Sequence, residues 1–253
     1  MKTESSSSPH ESSGSPPDSR PESLRRRYLG LLKNNANFRR LWLAQFVSEI
    51  GDWFYSLAVY DLLFQLTGSG AYVSGAIIVQ MLPWFLMIPL AGIVTDRFSR
   101  RRVMIVADLF RAVIVLGLLT VNTREEIWLI YVLLLLEVCF AALFEPARNG
   151  LLPDLLKKKD LLPANAIASA TWSLNLALGA ATGGLVAAVF GRKITVLLTS
   201  ASFIASAAFL RRIVARETHL ASAAVAEQQV SNSPQRWTDS MREVFHYLRQ
   251  HKP

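Results

Sequence analysis

The sequence predicts an all-α membrane protein built on six transmembrane helices. Three observations carry this. The 253 residues are 51% apolar and 18% charged, with a mean hydropathy of +0.28. The apolar residues come in six long runs, whereas a soluble helix spreads them along one stripe. The basic residues cluster in alternate connectors, so the net charge of +8 marks membrane-facing loops and no nucleic-acid partner.

The first 24 residues, MKTESSSSPHESSGSPPDSRPESL, are dominated by serine and proline and cannot form a core. They lack the apolar stretch of a signal peptide. Residues 1–37 therefore read as a disordered and then basic N-terminal region, 38–212 as the membrane domain, and 213–253 as a linker. The apolar segments fall at 41–66, 71–95, 103–122, 127–147, 165–190 and 194–210. A span needs about 17–25 residues, so each can cross a bilayer. Pro83 and Pro89 are expected to bend the second, and Gly179 and Gly183 in the fifth permit close helix approach.

Loop charge gives the orientation. Seventeen Lys/Arg lie in the N-terminal flank, the 2–3 and 4–5 connectors and the stretch after segment six, against three in the other connectors. Both termini are thus expected in the cytoplasm, with the protein in the bacterial inner membrane. In the linker, Trp237, Met241, Val244, Phe245 and Leu248 recur at helical spacing beside Arg236, Arg242 and Arg249. They describe an amphipathic helix on the membrane surface or packed on cytoplasmic loops. Cys139 is single, and the four histidines lie outside the apolar runs, so neither a disulfide nor a histidine metal site is expected, nor any cofactor.

An ionisable residue inside a bilayer is costly and marks a functional position. Gln45, Glu49, Asp52 and Ser56 repeat at steps of four, three and four, one polar stripe on the first helix. Asp52 lies about 16 Å from the start of that segment, near mid-depth. Asp108 and Arg111 form an i,i+3 pair in segment three, and segment four carries Glu137 and Glu145. Arg111 lies about 12 Å above the inner start of its segment and Glu137 about 15 Å below the outer start of its own, so the two come out nearly level and can pair. Glu49, Asp52, Asp108, Arg111 and Glu137 are the candidate translocation and coupling residues. A carboxyl shielded from water accepts a proton more readily, whereas a neighbouring arginine favours its charged form. Asp52 is thus either a proton or cation site on a central cavity or half of a fixed Asp52–Arg111 bridge.

Between segments two and three stands Gly92-Ile-Val-Thr-Asp96-Arg97-Phe-Ser99-Arg100-Arg101-Arg102. It resembles the loop signature G-x-x-x-D-R-x-G-R-R of the major facilitator superfamily, with Ser99 where the signature has glycine. Ser48-Glu49-Ile50-Gly51-Asp52, Leu66-Thr67-Gly68-Ser69, Phe144-Glu145-Pro146-Ala147-Arg148 and Asn165-Ala166 are similar to the branch containing the enterobactin exporter, the transmembrane secretion effectors. The resemblance implies twelve helices in two halves, alternating access and proton-coupled efflux of a drug, siderophore or metabolite. It also implies a cytoplasmic gate of Gly92, Asp96, Arg97, Arg100 and Arg101, with Asp96 latching the halves. Gly179 to Gly184 lacks the proline of the superfamily's antiporter motif.

Six segments make one half. The expected partners are the lipid bilayer, a small-molecule substrate, protons, and a missing C-terminal half or a second copy. A truncated frame is favoured over a dimerising half because the chain stops at His251-Lys252-Pro253, where a seventh span is due. The alternative is a non-transporting scaffold or transporter remnant. With no GxxxxGK[ST], HExxH, CxxC or GxSxG, the chain reads as neither an ATP-driven pump nor an enzyme.

Overall fold

The computed structural model describes residues 21–215, and among them every regular element is helical. The expected amphipathic helix of the linker lies outside the described residues. In order come α1 (Pro21–Asn34), α2 (Ala36–Thr67), α3 (Gly70–Arg97), α4 (Arg100–Leu116), α5 (Ile127–Leu155) and α6 (Lys158–Arg211). α6 is two helical arms. Gly191, at φ 74° and ψ 170°, breaks it where the sequence places a connector, and glycine alone takes that conformation without strain.

The turns follow from local chemistry. Gly68 ends α2 in the left-handed region, its N–H bonded to the Phe64 carbonyl, and Ser69 caps α3 through the Ala71 amide. Ser99 caps α4 by accepting from the Arg102 amide. With φ at −56° that position has no need of glycine, which explains the departure from the loop signature. α4 tightens into a 3-10 turn at Gly117–Leu119, and Thr123 and Glu126 form a capping box ahead of α5.

Two expectations are corrected. Within the N-terminal region, residues 21–34 form α1, which rests on α2 and α6. Its end is closed by Arg39, which donates to the carbonyls of Leu32 and Lys33. The expected connector from Arg148 is instead the continuation of α5, which runs through Pro146 and Pro153 to Leu155. Proline and charge together read as a break, but packing keeps the helix intact where neighbours take over the lost backbone bonds. Arg148 therefore belongs to the helix bundle and leaves the tally of loop charges.

α2 packs along α6, α4 sits between α5 and α6, and α3 packs on α5. Small residues set these approaches. A Cβ at Gly179 would lie 2.8 Å from Trp53, and one at Gly183 would lie 2.9 Å from Leu57 and 3.0 Å from Phe54. Gly51 meets Ser202 and Phe203 of the second α6 arm so closely that no Cβ fits. Two apolar clusters fill the ends of the bundle, one around Tyr55, Leu63, Leu134 and Phe203, the other around Leu41, Met104, Leu151 and Leu210. Large apolar side chains such as Ile78, Val113, Trp128 and Leu185 point outward. By length and composition alone, residues 124–155 and 158–211 are long and apolar enough to cross a membrane. α4 has only 17 residues, and the apolar run of α2 is interrupted by its polar stripe.

Candidate functional site

α4 buries one face made of Val103, Met104, Ala107, Asp108, Arg111, Ala112 and Val115, so two charges face inward with the aliphatic residues. Arg111 is 1% exposed. Its Nε donates to Glu137 Oε1 at 2.9 Å, and Nη2 reaches the same oxygen at 2.8 Å. Nη2 also pairs with Asp52, and Nη1 donates to Ser48 Oγ at 3.0 Å and Asp108 Oδ1 at 3.3 Å. Ser48 in turn donates to Asp108 at 3.2 Å. The Phe203 ring closes the guanidinium's remaining face, its centroid 4.1 Å from Cζ, a cation–π contact that the Gly51 approach allows.

One arginine is thus held by three carboxylates from three helices. Both the level pairing of Arg111 with Glu137 and the Asp52–Arg111 bridge are present. Asp52 differs from the other two acids in having a side chain 38% exposed, toward a recess it shares with Trp84 and Trp172. Tyr55, one turn beyond Asp52, is fully buried near Glu137, and its hydroxyl has no hydrogen-bond partner among the described residues.

The rest of the α2 stripe is absorbed helix by helix. Gln45 donates to Glu49 Oε1 at 2.6 Å, and Asn175 of α6 donates to Glu49 Oε2 at 2.7 Å. Gln80 of α3 donates to Ser56 at 3.0 Å and accepts from Tyr60. Glu49 borders a cavity of about 650 Å³ between α2, α5 and the first arm of α6, with Glu145, Arg148, Asn165 and Trp172 on its walls. Arg148 is buried there, 3.2 Å from Glu145, and donates to Asn149 at 2.7 Å. The i,i+3 spacing of Glu145 and Arg148 was the available sign of this pair. For Ser48, Tyr55 and Phe203 no local sign existed, since each acts on a different helix from its own.

The loop motif divides. Arg100 donates to the Gly150 carbonyl at 2.6 Å and lies 3.7 Å from Asp154, and Arg101 donates to the Ile213 carbonyl. Nearby, Arg40 donates to the Arg212 carbonyl at 2.6 Å, and Asn37 exchanges bonds with the backbone of Val214. Asn35 caps α2 through the Phe38 amide and donates to the Leu155 carbonyl at 3.0 Å. This basic end of the bundle is therefore clamped by side chains on backbone carbonyls at or near helix ends. Asp96 and Arg97 are exposed in the last turn of α3, and Gly92 has open space beside it. A carboxylate at a helix C-terminus opposes the dipole, so Asp96 is not placed as a cap.

The family model for transmembrane secretion effectors matches residues 31–245. The chain belongs to this family of the major facilitator superfamily. It is 30% identical over 215 residues to the MFS-type transporter YfiS of Bacillus subtilis, covering 85% of this chain and 49% of that protein. Macrolide efflux protein A of Streptococcus pyogenes is 26% identical over 60% of this chain and 38% of its own length. The enterobactin exporter EntS of Salmonella choleraesuis is 27% identical over 64% and 40%. The chain spans about half the length, or less, of the curated relatives it matches. No solved structure matches it. Family and relatives are membrane transporters, several of them efflux proteins, and not enzymes.

Proposed function

We propose that this chain builds one six-helix half of a secondary active exporter, which moves a small molecule across the bacterial inner membrane by alternating access with protons as the coupling ion. The six spans are α2, α3, α4 with its 3-10 turn, α5 and the two arms of α6. The alternation of loop charge supports cytoplasmic termini. A second half, or a second copy, supplies the opposite wall of the cavity, and Asp96 and Arg97 meet it at the end of α3.

The single observation that carries proton coupling is the ratio of one buried arginine to three carboxylates at Asp52, Asp108 and Glu137. Fully ionised, the group holds two uncompensated negative charges, and a carboxylate at mid-bilayer costs about 2.5–3.5 kcal/mol. Taking up a proton relieves that cost. Asp52 is the exchange point, because it alone of the three has an exposed side chain, open to the recess beside Trp84 and Trp172. A proton arriving there neutralises the carboxylate and dissolves the Asp52–Arg111 pair. Arg111 stays on Glu137 and Asp108, so α2 is freed from α4 and α5 while those two remain joined. The coupling residues thus act as a bridge that opens on protonation, which unites the two expectations for Asp52.

Infrared spectroscopy of the full-length protein in lipid tests this without a known substrate. A carboxyl C=O band that appears on acidification is expected, and Asp52→Asn is expected to remove the component that belongs to Asp52. An identical acidification spectrum in the wild type and in Asp52→Asn overturns the coupling role. Topology is tested separately by cysteine labelling from outside in a chain with Cys139 replaced. Positions 69 and 124 are expected to react and 99 and 158 to stay protected, and the opposite pattern reverses the orientation.

A further inference from the structure

We infer that the cavity between α2, α5 and the first arm of α6 is a subsite for an organic cation with an apolar or aromatic body, and that Glu49 recognises its positive charge. This deepens the exporter reading above and rests on it.

The argument starts from how Glu49 is held. Each carboxylate oxygen accepts from a neutral amide, Gln45 at 2.6 Å and Asn175 at 2.7 Å. These amides are themselves buried, at 5% and 0% exposure, so two interior polar side chains are committed to one acid. Asn175 Nδ2 also faces the Phe46 carbonyl at 3.4 Å, which fixes the end of the amide that points at Glu49. An NH2 group cannot accept a hydrogen bond, so both amides favour the charged carboxylate as their acceptor.

Charge balance then asks for a cation. Among the described residues no basic side chain lies within ion-pair distance of Glu49. Arg111 is held by its three carboxylates, and Arg148, on the same cavity wall, pairs with Glu145 at 3.2 Å, so two acids and one arginine leave one negative charge on the cavity. A shielded carboxylate bound only by amides leaves a desolvation cost that a ligand's positive charge removes. The cavity offers the rest of such a site. Its 650 Å³ lies in the range of small-molecule pockets, about 300–1,000 Å³. Trp172 is 53% exposed on its wall and Trp84 is 40% exposed in the adjoining recess, presenting ring faces that attract both cations and apolar bodies.

The probes are tetraphenylphosphonium and tetraphenylborate, ions of the same shape and opposite charge. Equilibrium dialysis against full-length protein in lipid nanodiscs, with empty discs subtracted, measures their binding. Tetraphenylphosphonium is expected to bind and tetraphenylborate not to. Glu49→Gln is expected to weaken the cation by about tenfold or more, while Glu49→Asp, which keeps the charge, retains a measurable part of the affinity. Trp172→Ala is expected to weaken it several-fold. Absence of tetraphenylphosphonium binding, equal binding of the two ions, or full affinity in a folded Glu49→Gln protein overturns the subsite. Failure here is distinct from failure of proton coupling. The infrared comparison reads Asp52 and not Glu49, so either result can stand without the other.

Discussion

The same side chain does two different jobs at the two ends of α4. At the basic end, Arg100 and Arg101, with Arg40 of α2, donate to backbone carbonyls of Gly150, Ile213 and Arg212. Three turns deeper, Arg111 faces three carboxylates and a phenyl ring, out of reach of water. The carbonyls at the rim are neutral acceptors, so each contact is a modest and replaceable bond. Arg111 compensates formal charges that have no other cation. Burial, more than the arginine itself, sets what the residue is worth, and that contrast can be tested from the strongest case down.

The largest effect is expected at the core. Arg111→Met leaves three acids without a cation and is expected to cost about 3–5 kcal/mol, seen as loss of the monodisperse detergent-solubilised protein. Adding Asp108→Asn and Glu137→Gln to the same chain is expected to restore much of the folded yield, because the uncompensated charge is then removed. Failure of that rescue would show that Arg111 contributes shape rather than charge.

Next comes the packing that lets Phe203 reach Arg111. Gly51→Ala places a methyl group against Ser202 and Phe203, and is expected to lower stability by about 1–3 kcal/mol in a thermal unfolding series. The same change at Gly184, where no atom lies within reach of a Cβ, is expected to be nearly silent. Equal effects at both positions would deny that α2 and the second α6 arm approach as closely as described.

At the rim the expected effects are smaller and additive. Arg40→Ala and Arg101→Ala each remove one bond to the end of α6, and each is expected to cost about 0.5–1.5 kcal/mol. The double variant is expected to match the sum, read as faster amide exchange at residues 210–214. A cooperative loss there would place the rim and the core in one class.

The smallest effect is at the opposite end, where Glu126 is partly exposed. The backbone amides of Asn122 and Thr123, at 2.7 and 3.0 Å, hold its carboxyl below the usual glutamate range. A depressed value in the folded state means the capping bonds contribute fully above the ordinary glutamate range and are lost as the pH falls on through the lowered folded value. The protection of the amides of residues 122 and 123, relative to their intrinsic exchange rates, is therefore expected to fall on acidification, and Glu126→Gln to abolish that dependence.

Much of this was legible along the chain. The six apolar runs, the Gly68–Ser69 turn, the break at Gly191, the α2 stripe and the Asp108–Arg111 pair are local, because helical periodicity, capping and φ preference act over a few residues. So is the basic clustering between runs, and the loop motif that pointed to the superfamily. The depth of Arg111 and Glu137 also followed from counting, since rise per residue is fixed. What only the tertiary structure decided is rotation and contact. Three carboxylates from three helices converge on one guanidinium, the glycines of α6 settle on Trp53, Phe54 and Leu57, and α5 carries on through two prolines to bring Arg148 into the cavity. A polar stripe states that a helix has an inward face, but the helix that receives it depends on packing between distant segments, as where Asn175 reaches Glu49 from 126 residues away. That packing energy belongs to the assembled bundle and to no stretch of sequence by itself.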